Sequence, residues 1–368
     1  MITIKHPVDL PDTYPLERIG ALKDLLFFDI ETTGFSGDTS QLYLIGCTYH
    51  DGFGWKLIQW FADTRESEAQ LLESFFTFMK RFRILVHFNG DGFDIPYLLK
   101  RCAHHKLDYN FDGVASLDIY KKIRPLKKLL GLDSLKQKAI ERFLGVDRTD
   151  VFSGGELIEV YKEYLRSRDD RLFHLLILHN EDDLKGMPCI LPILNYPDLL
   201  EGPLSLTGHS RTSLRDIFGQ EAPMLDLCFE SPCSVPVDFE AENGRVNMSL
   251  EKNLLKFRIE LYQGDLKFFY PNYKDYFYLP LEDTAVHKSV GEFVDKSARV
   301  RATAKTCYTR KSGLFVPQFE LLWEPALKRE LKDPVSFAEY RRELLEPPEI
   351  AQQYGRQLMR YVTGKSRG

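Results

Sequence analysis

The stretch Phe28-Asp29-Ile30-Glu31-Thr32-Thr33-Gly34 closes an apolar run that begins at Leu25, and two carboxylates stand two residues apart at its end. A short continuous apolar run of this kind reads as a buried strand. Side chains at i and i+2 of a strand leave the same face, so Asp29 and Glu31 project together where the strand ends. Like charges held that close repel one another unless something neutralises them. A hard divalent cation does so, taking carboxylate oxygens and keeping positions open for phosphate. Taken alone, the pair fits two solvated carboxylates at a strand end equally well.

Working outward, residues 42–49 and 55–61 are further β-rich runs separated by Asp51-Gly52-Phe53-Gly54, which predicts a three-strand meander. Residues 67–82 switch period, with Leu71, Leu72, Phe75, Phe76, Met79 and Phe82 at three- and four-residue steps, the mark of an amphipathic helix. Strand over 83–88, helix over 95–105, strand over 114–119 and helix over 134–144 follow, the last started by Asp133 or Ser134 and stopped at Gly145. Two more helices are expected over 156–166 and 172–194. Strands and helices alternating in this way predict an α/β fold, a mixed sheet covered by helices.

The chain has 368 residues, 43% hydrophobic and 28% charged, enough for about two domains. Its net charge of -5 excludes a protein that coats nucleic acid nonspecifically. The 6 cysteines form no CxxC pair and predict reduced thiols of a cytoplasmic protein. No apolar run has the length of a signal peptide or a membrane span, so a soluble protein with no membrane partner is expected.

Composition shifts after Pro192, Pro197 and Pro203. Residues 1–20 are expected as an N-terminal arm, 21–197 as the α/β domain, 198–210 as a linker, and 211–368 as a smaller β-rich α+β domain. In that half, residues 254–261 and 266–270 flank Gln263-Gly264-Asp265 and predict a hairpin. Residues 276–279 and 299–308 read as strands, and helix returns from about 336.

Two further segments carry chemistry. Phe88-Asn89-Gly90-Asp91-Gly92-Phe93-Asp94 follows a strand and opens a helix, placing Asp94 at the junction. In His179-Asn180-Glu181-Asp182-Asp183, helical spacing puts His179 and Asp183 on one face and turns Asp182 elsewhere. The apolar residues around them make an inward imidazole and carboxylate costly unless paired or bound to metal.

The segment 28–34 resembles the first motif of the DEDD exonucleases, a superfamily with a ribonuclease H-like fold. Asn89 to Asp94 resembles the second motif as it stands in proofreading domains of replicative polymerases, and His179 to Asp183 resembles the third. Order and separations are also similar to the YprB-like branch of ribonuclease H-like proteins, and the likeness covers roughly residues 20–195. It implies that Asp29, Glu31, Asp94 and Asp183 hold two divalent ions, Mg²⁺ or Mn²⁺, and that His179 is the general base. It further implies substrate contacts at Thr32, Asn89, Phe93, Lys121 and Lys122. The activity implied is 3′ to 5′ hydrolysis of single-stranded DNA or RNA ends. In one respect the chain departs from the pattern: His179 stands four residues before Asp183, the spacing of the tyrosine-using branch. That departure, with the acidic net charge, favours an alternative of another class, a nucleic-acid-binding protein whose nuclease fold is weak or silent.

Basic residues concentrate twice. Lys121, Lys122, Arg124, Lys127 and Lys128 fall within eight positions and suit either a phosphate track or a solvated face. Residues 296–311 hold Lys296, Arg299, Arg301, Lys305, Arg310 and Lys311 without an acid, and strand alternation would put Arg299, Arg301 and Lys305 on one face. The aromatics from Phe268 to Tyr278 suit base stacking or, more simply, a core. His87 reads as a structural or surface residue, and Asp118, at the end of a short strand, suits a plain strand-end carboxylate better than a partner that supports the site.

Overall fold

The structure is a computed structural model that describes residues 1–146, 154–215, 219 and 221–364. The chain forms two compact units, Met1–Pro197 and Asp198–Gly368.

The N-terminal unit is built on a six-stranded sheet. Its elements in chain order are β1 (Ile2–Pro7), β2 (Leu25–Thr32), β3 (Leu42–His50), β4 (Trp55–Phe61), α1 (Glu68–Met79), β5 (Ile84–His87), α2 (Asp94–His104), β6 (Ala115–Asp118), α3 (Ile119–Ile123), α4 (Gln137–Phe143), α5 (Gly154–Ser167) and α6 (Asp170–Ile190). Strand order is β1-β4-β3-β2-β5-β6. The pairs on the β1 side of β2 are antiparallel, whereas β2/β5 and β5/β6 are parallel. Central β2 is covered on both faces, which is why Leu25, Leu26, Phe27 and Phe28 are all buried and no period-two alternation shows. On one face Phe75 of α1 meets Phe28 and Trp60. The opposite face, onto which Asp29 and Glu31 project, is covered by α6. A bulge between Glu31 and Thr32 shifts the register with β3 just past the acidic pair. Cross-strand register places Asp29 beside Gly46, and Gly46 beside Gln59.

Several expectations need correction. Residues 2–7 are no arm, because all six pair with β4. The expected linker 198–210 holds the end of α7 (Asn195–Glu201) and the start of β7 (Ser205–Arg215). The helix predicted over 134–144 begins only at Gln137, after the backbone of Lys136 leaves the helical region.

In the C-terminal unit, β7, β8 (Glu221–Glu230), β9 (Phe239–Asn243), β10 (Val246–Glu251) and β11 (Leu254–Glu260) form an antiparallel sheet ordered β7-β8-β11-β10-β9. Strand β12 (Tyr262–Phe269) lies at the edge of a second sheet, in which it pairs with β16 (Tyr308–Gln318) and β16 with β17 (Ser336–Glu339), while β13 (Tyr276–Leu279), β14 (Thr284–His287) and β15 (Val300–Arg301) form a third sheet in the order β14-β13-β15. Gln263-Gly264-Asp265 is therefore no hairpin turn. Gly264 lies inside β12 opposite Gly313 of β16, a long-range pairing that leaves no local signature. Among the described residues the remaining α-helices are the short α8 (Lys288–Gly291) and the longer α9 (Pro348–Thr363), and the helix expected from 336 is preceded by strand β17. Helix α9 buries Tyr354, Gly355 and Leu358, with Gly355 against the Phe229 ring of the five-stranded sheet.

The expected strand over 299–308 shrinks to Val300–Arg301, so Arg299, Arg301 and Lys305 share no strand face. Arg299 donates to the Gly291 carbonyl and lies over Phe277, Arg310 pairs with Asp283, and Lys311 with Glu339. Tyr270, Tyr273, Tyr276 and Tyr278 pack against Ala285, Ala302 and Cys307, a small core. Among the described residues no helix is long and apolar enough to cross a membrane.

Candidate metal centre

The end of β2, the start of α2 and the middle of α6 meet on the α6-covered face of the sheet. Asp29 and Glu31 come from β2, Asp94 from the first turn of α2, and His179 and Asp183 from one face of α6. His179 Nε2 stands 3.4 Å from Asp183 Oδ2 and 3.7 Å from Glu31 Oε1. One ligand atom from each of Glu31, His179 and Asp183 lies within 4.8 Å of the others. His179 is buried, Glu31 nearly so, and Asp183 is the most open of the three.

Electrostatics ties the remaining carboxylates to the same place. Burial, followed by the charges of Glu31, Asp183 and Asp94, holds the Asp29 carboxyl well above the usual carboxylate range. Asp94 is pushed up to about 7, mainly by burial, with Asp118 adding to the rise; backbone hydrogen bonds from its own residue and Ile30 act the other way. A carboxylate surrounded by three others costs free energy unless protons or cations join it. Oxygen donors with one imidazole suit a hard divalent ion such as Mg²⁺ or Mn²⁺, and the residues present therefore fit such a cation.

A second cluster, His87, Asp91 and Asp118, also lies within metal-binding distance. Its atoms are already engaged. Asp118 Oδ1 accepts from the N–H groups of Asn89 at 2.9 Å and Lys121 at 3.1 Å, and Oδ2 from that of Asp91 at 3.1 Å. Gly90 N–H donates to His87 Nδ1 at 3.0 Å, which makes Nε2 the protonated nitrogen, facing Ser116 Oγ at 2.8 Å. Ser116 in turn donates to Asp91, and Lys121 closes on the same carboxylate at 2.9 Å. Burial lowers the His87 pKa, in keeping with a neutral ring. The cluster is a hydrogen-bonded clasp that shapes the 88–94 loop and so seats Asp94. Asn89, at φ 62°, takes a left-handed turn that asparagine tolerates. A Cβ at Gly90 would come within 2.5 Å of His87 Nδ1.

Of the expected substrate contacts, Phe93 packs against Tyr97 and against Phe35, which is 92% exposed beside the site. Thr32 Oγ1 donates to the Gly34 carbonyl at 2.9 Å, and Lys122 is exposed on α3. Lys121 is held by Asp91.

Sequence reasoning missed the residues behind Asp29. Asn180 Nδ2 donates to Asp29 Oδ2 at 2.9 Å, and Gln59 Nε2 donates to Asn180 Oδ1 at 3.0 Å. Asn180 stood inside the third motif, but its partner across the sheet becomes visible only through strand register.

Residues 26–194 match the family model of the RNase H superfamily. The matched segment lies within the mixed-sheet α/β unit, which is followed by β-rich sheets. Among curated proteins, a DNA polymerase of Thermococcus kodakarensis is 33% identical over 106 residues, covering 26% of this chain and 6% of the polymerase. One from Pyrococcus glycovorans is 33% identical over 96 residues, covering 24% of this chain and 12% of the other. The match thus spans a small part of either relative. Among solved structures, the family B DNA polymerase of Pyrobaculum calidifontis aligns with a TM-score of 0.40 at 18% identity, covering 48% of this chain and 25% of that one.

Proposed function

We propose that the N-terminal unit is a metal-dependent nuclease, a 3′ to 5′ exonuclease acting on single-stranded nucleic-acid ends. The observation that carries this reading is the convergence of Asp29, Glu31, Asp94 and Asp183 with His179 on one face of the sheet. The superfamily match over 26–194 and the local identity to two DNA polymerases support it.

Asp29, Glu31, Asp94 and Asp183 would hold two divalent ions. Bound there, such ions supply Lewis acidity at the attacking and leaving oxygens of a phosphodiester. The chain's own groups do the rest. His179, between Glu31 and Asp183, accepts a proton from the attacking water. Phe35 and Phe93 present aromatic surface to a terminal base. Exposed Lys122 and its basic neighbours draw the phosphate backbone toward the site.

Labelled DNA and RNA oligomers, incubated with Mn²⁺ and with either end blocked in turn, test the reading. Shortening from a free 3′ end, abolished by EDTA and by Asp29→Ala and Asp183→Ala, is the expected result. No cleavage by the wild type, or full activity in both variants, overturns it.

A further inference from the structure

Two buried amides stand behind the first carboxylate of the proposed metal centre. Gln59 of β4 and Asn180 of α6 are both fully buried. Their donors run in one direction: Gln59 Nε2 donates to the Ile177 carbonyl at 2.9 Å and to Asn180 Oδ1 at 3.0 Å, and Asn180 Nδ2 donates to Asp29 Oδ2 at 2.9 Å.

We propose that Asn180 is a positioning residue of the metal centre, locked by Gln59 in the one amide orientation that fixes Asp29 Oδ2 and turns Oδ1 toward a cation. The inference rests on the metal reading above and names how that site holds one of its ligands. Turning the Asn180 amide over would set its oxygen against a carboxylate oxygen and its NH₂ against the Gln59 NH₂, two repulsions in place of two hydrogen bonds. The Ile177 carbonyl and Asn180 Oδ1 together hold Gln59 as donor, so the lock is itself fixed. A buried donor and acceptor that serve only packing are replaceable by apolar groups of the same shape at little cost. An amide chain that instead ends on one oxygen of Asp29, on the same strand face as Glu31, orients that carboxylate.

The sheet makes room for this arrangement. Asp29, Gly46 and Gln59 stand in register across β2, β3 and β4. A Cβ at position 46 would come to 1.9 Å from Asn180 Oδ1 and 2.6 Å from Leu184 Cδ1. Gly46 therefore serves as a socket, since any side chain there pushes Asn180 away from Asp29. Because Asn180 shares α6 with His179 and Asp183, a single helix carries proposed ligands on one side and the support for Asp29 on another.

The test uses the full chain and Mn²⁺ alone, titrated by calorimetry, with Asn180→Ala, Gln59→Met and Gly46→Ala. Outer-shell partners of metal ligands typically change affinity about 10–100-fold. Each variant should weaken Mn²⁺ by roughly that factor, although Gln59 and Gly46 touch no ion. In the Asn180→Ala background, Gly46→Ala should add little further loss, because the Asn180 oxygen it would strike first is gone and the Leu184 methyl it would also meet ends a flexible side chain. A metal-free urea-denaturation cycle pairing Asn180→Ala with Asp29→Ala covers the case in which Gly46→Ala fails to fold; the two effects should be non-additive. Wild-type affinity in folded Asn180→Ala and Gln59→Met, or strict additivity in the cycle, overturns this inference and leaves the metal reading standing. A wild type that takes no Mn²⁺ overturns the metal reading and the inference with it.

Discussion

Asp94 shows most directly what the proposed site costs the fold. With its carboxyl pushed up to about 7, the folded protein binds this proton more tightly than the unfolded chain, where an aspartate titrates near 3.9. Its contribution to stability is therefore fully present below about pH 4 and lost as pH rises through about 7. Across that window the loss is on the order of 4 kcal/mol. Asp94→Asn cannot ionise and so escapes it. In EDTA, urea midpoints of Asp94→Asn and wild type should diverge progressively between about pH 4 and 7, the variant becoming relatively more stable, and hold their separation above that; parallel curves would count against a raised Asp94. His179 yields the complementary prediction: His179→Ala should lower turnover by about 10²–10⁴ with the fold intact, the ordinary worth of a general base. Unchanged turnover would remove His179 from the mechanism. At this scale the pairing of Asp29 with Glu31 and of His179 with Asp183 was legible, because i,i+2 and i,i+4 spacing sets side-chain direction within one element, and the place of Asp94 at the opening of a helix was legible from the segment before it. Asn180, Gln59 and Gly46 were not, since their roles depend on which strands and helix come together across the sheet.

Between elements, a buried ion pair fixes how α1 and α2 sit beside β3. Glu68 Oε1 accepts from Arg101 Nε at 2.6 Å and from the Leu42 N–H at 2.8 Å, while Oε2 faces Arg101 Nη2 at 2.6 Å and His105 Nε2 at 2.9 Å. Arg101 also donates to the Gly37 carbonyl, drawing in the loop that carries Phe35. Removing one partner of such a pair leaves the other charge buried and costs about 3–5 kcal/mol. Arg101→Met should lose that much in urea denaturation, and a loss under 1 kcal/mol would show that the pair holds nothing in place. Periodicity found α1 and α2 but not this link, because ion pairing between helices has no period. The same limit explains β12. Its residues were recognised as strand-forming, yet the glycine inside it looked like a turn, and only pairing with β16 some fifty residues away makes it straight. Local signals identify elements; partners distant in sequence decide their neighbours.

Over the whole molecule, the N-terminal unit has its own core, from Leu26 and Phe28 through Phe75 and Tyr161 to Leu176. A fragment of residues 1–202, which keeps α7 whole, should therefore fold in one cooperative transition. A broad, non-cooperative melt would show that this unit depends on the remainder of the chain. Charge is the other whole-molecule property. A net -5 opposes approach to a polyanion, so a binding surface must be local, and the sequence pointed to 121–128 without deciding between a phosphate track and a solvated face. The structure leaves Lys122, Arg124, Lys127 and Lys128 exposed, while Lys121 is held by Asp91. Each phosphate contact to a single strand contributes about 0.7 to the slope of log K against log salt. If Lys122 and Lys127 each neutralise a phosphate, replacing both with alanine should shallow that slope by about 1.4, with stability unchanged because both are exposed. Anisotropy of a labelled oligonucleotide, followed from low to moderate salt in Ca²⁺ to hold cleavage down, reads the slope directly. A slope equal to wild type would make the run a solvated face and send the search for the nucleic-acid track to another surface.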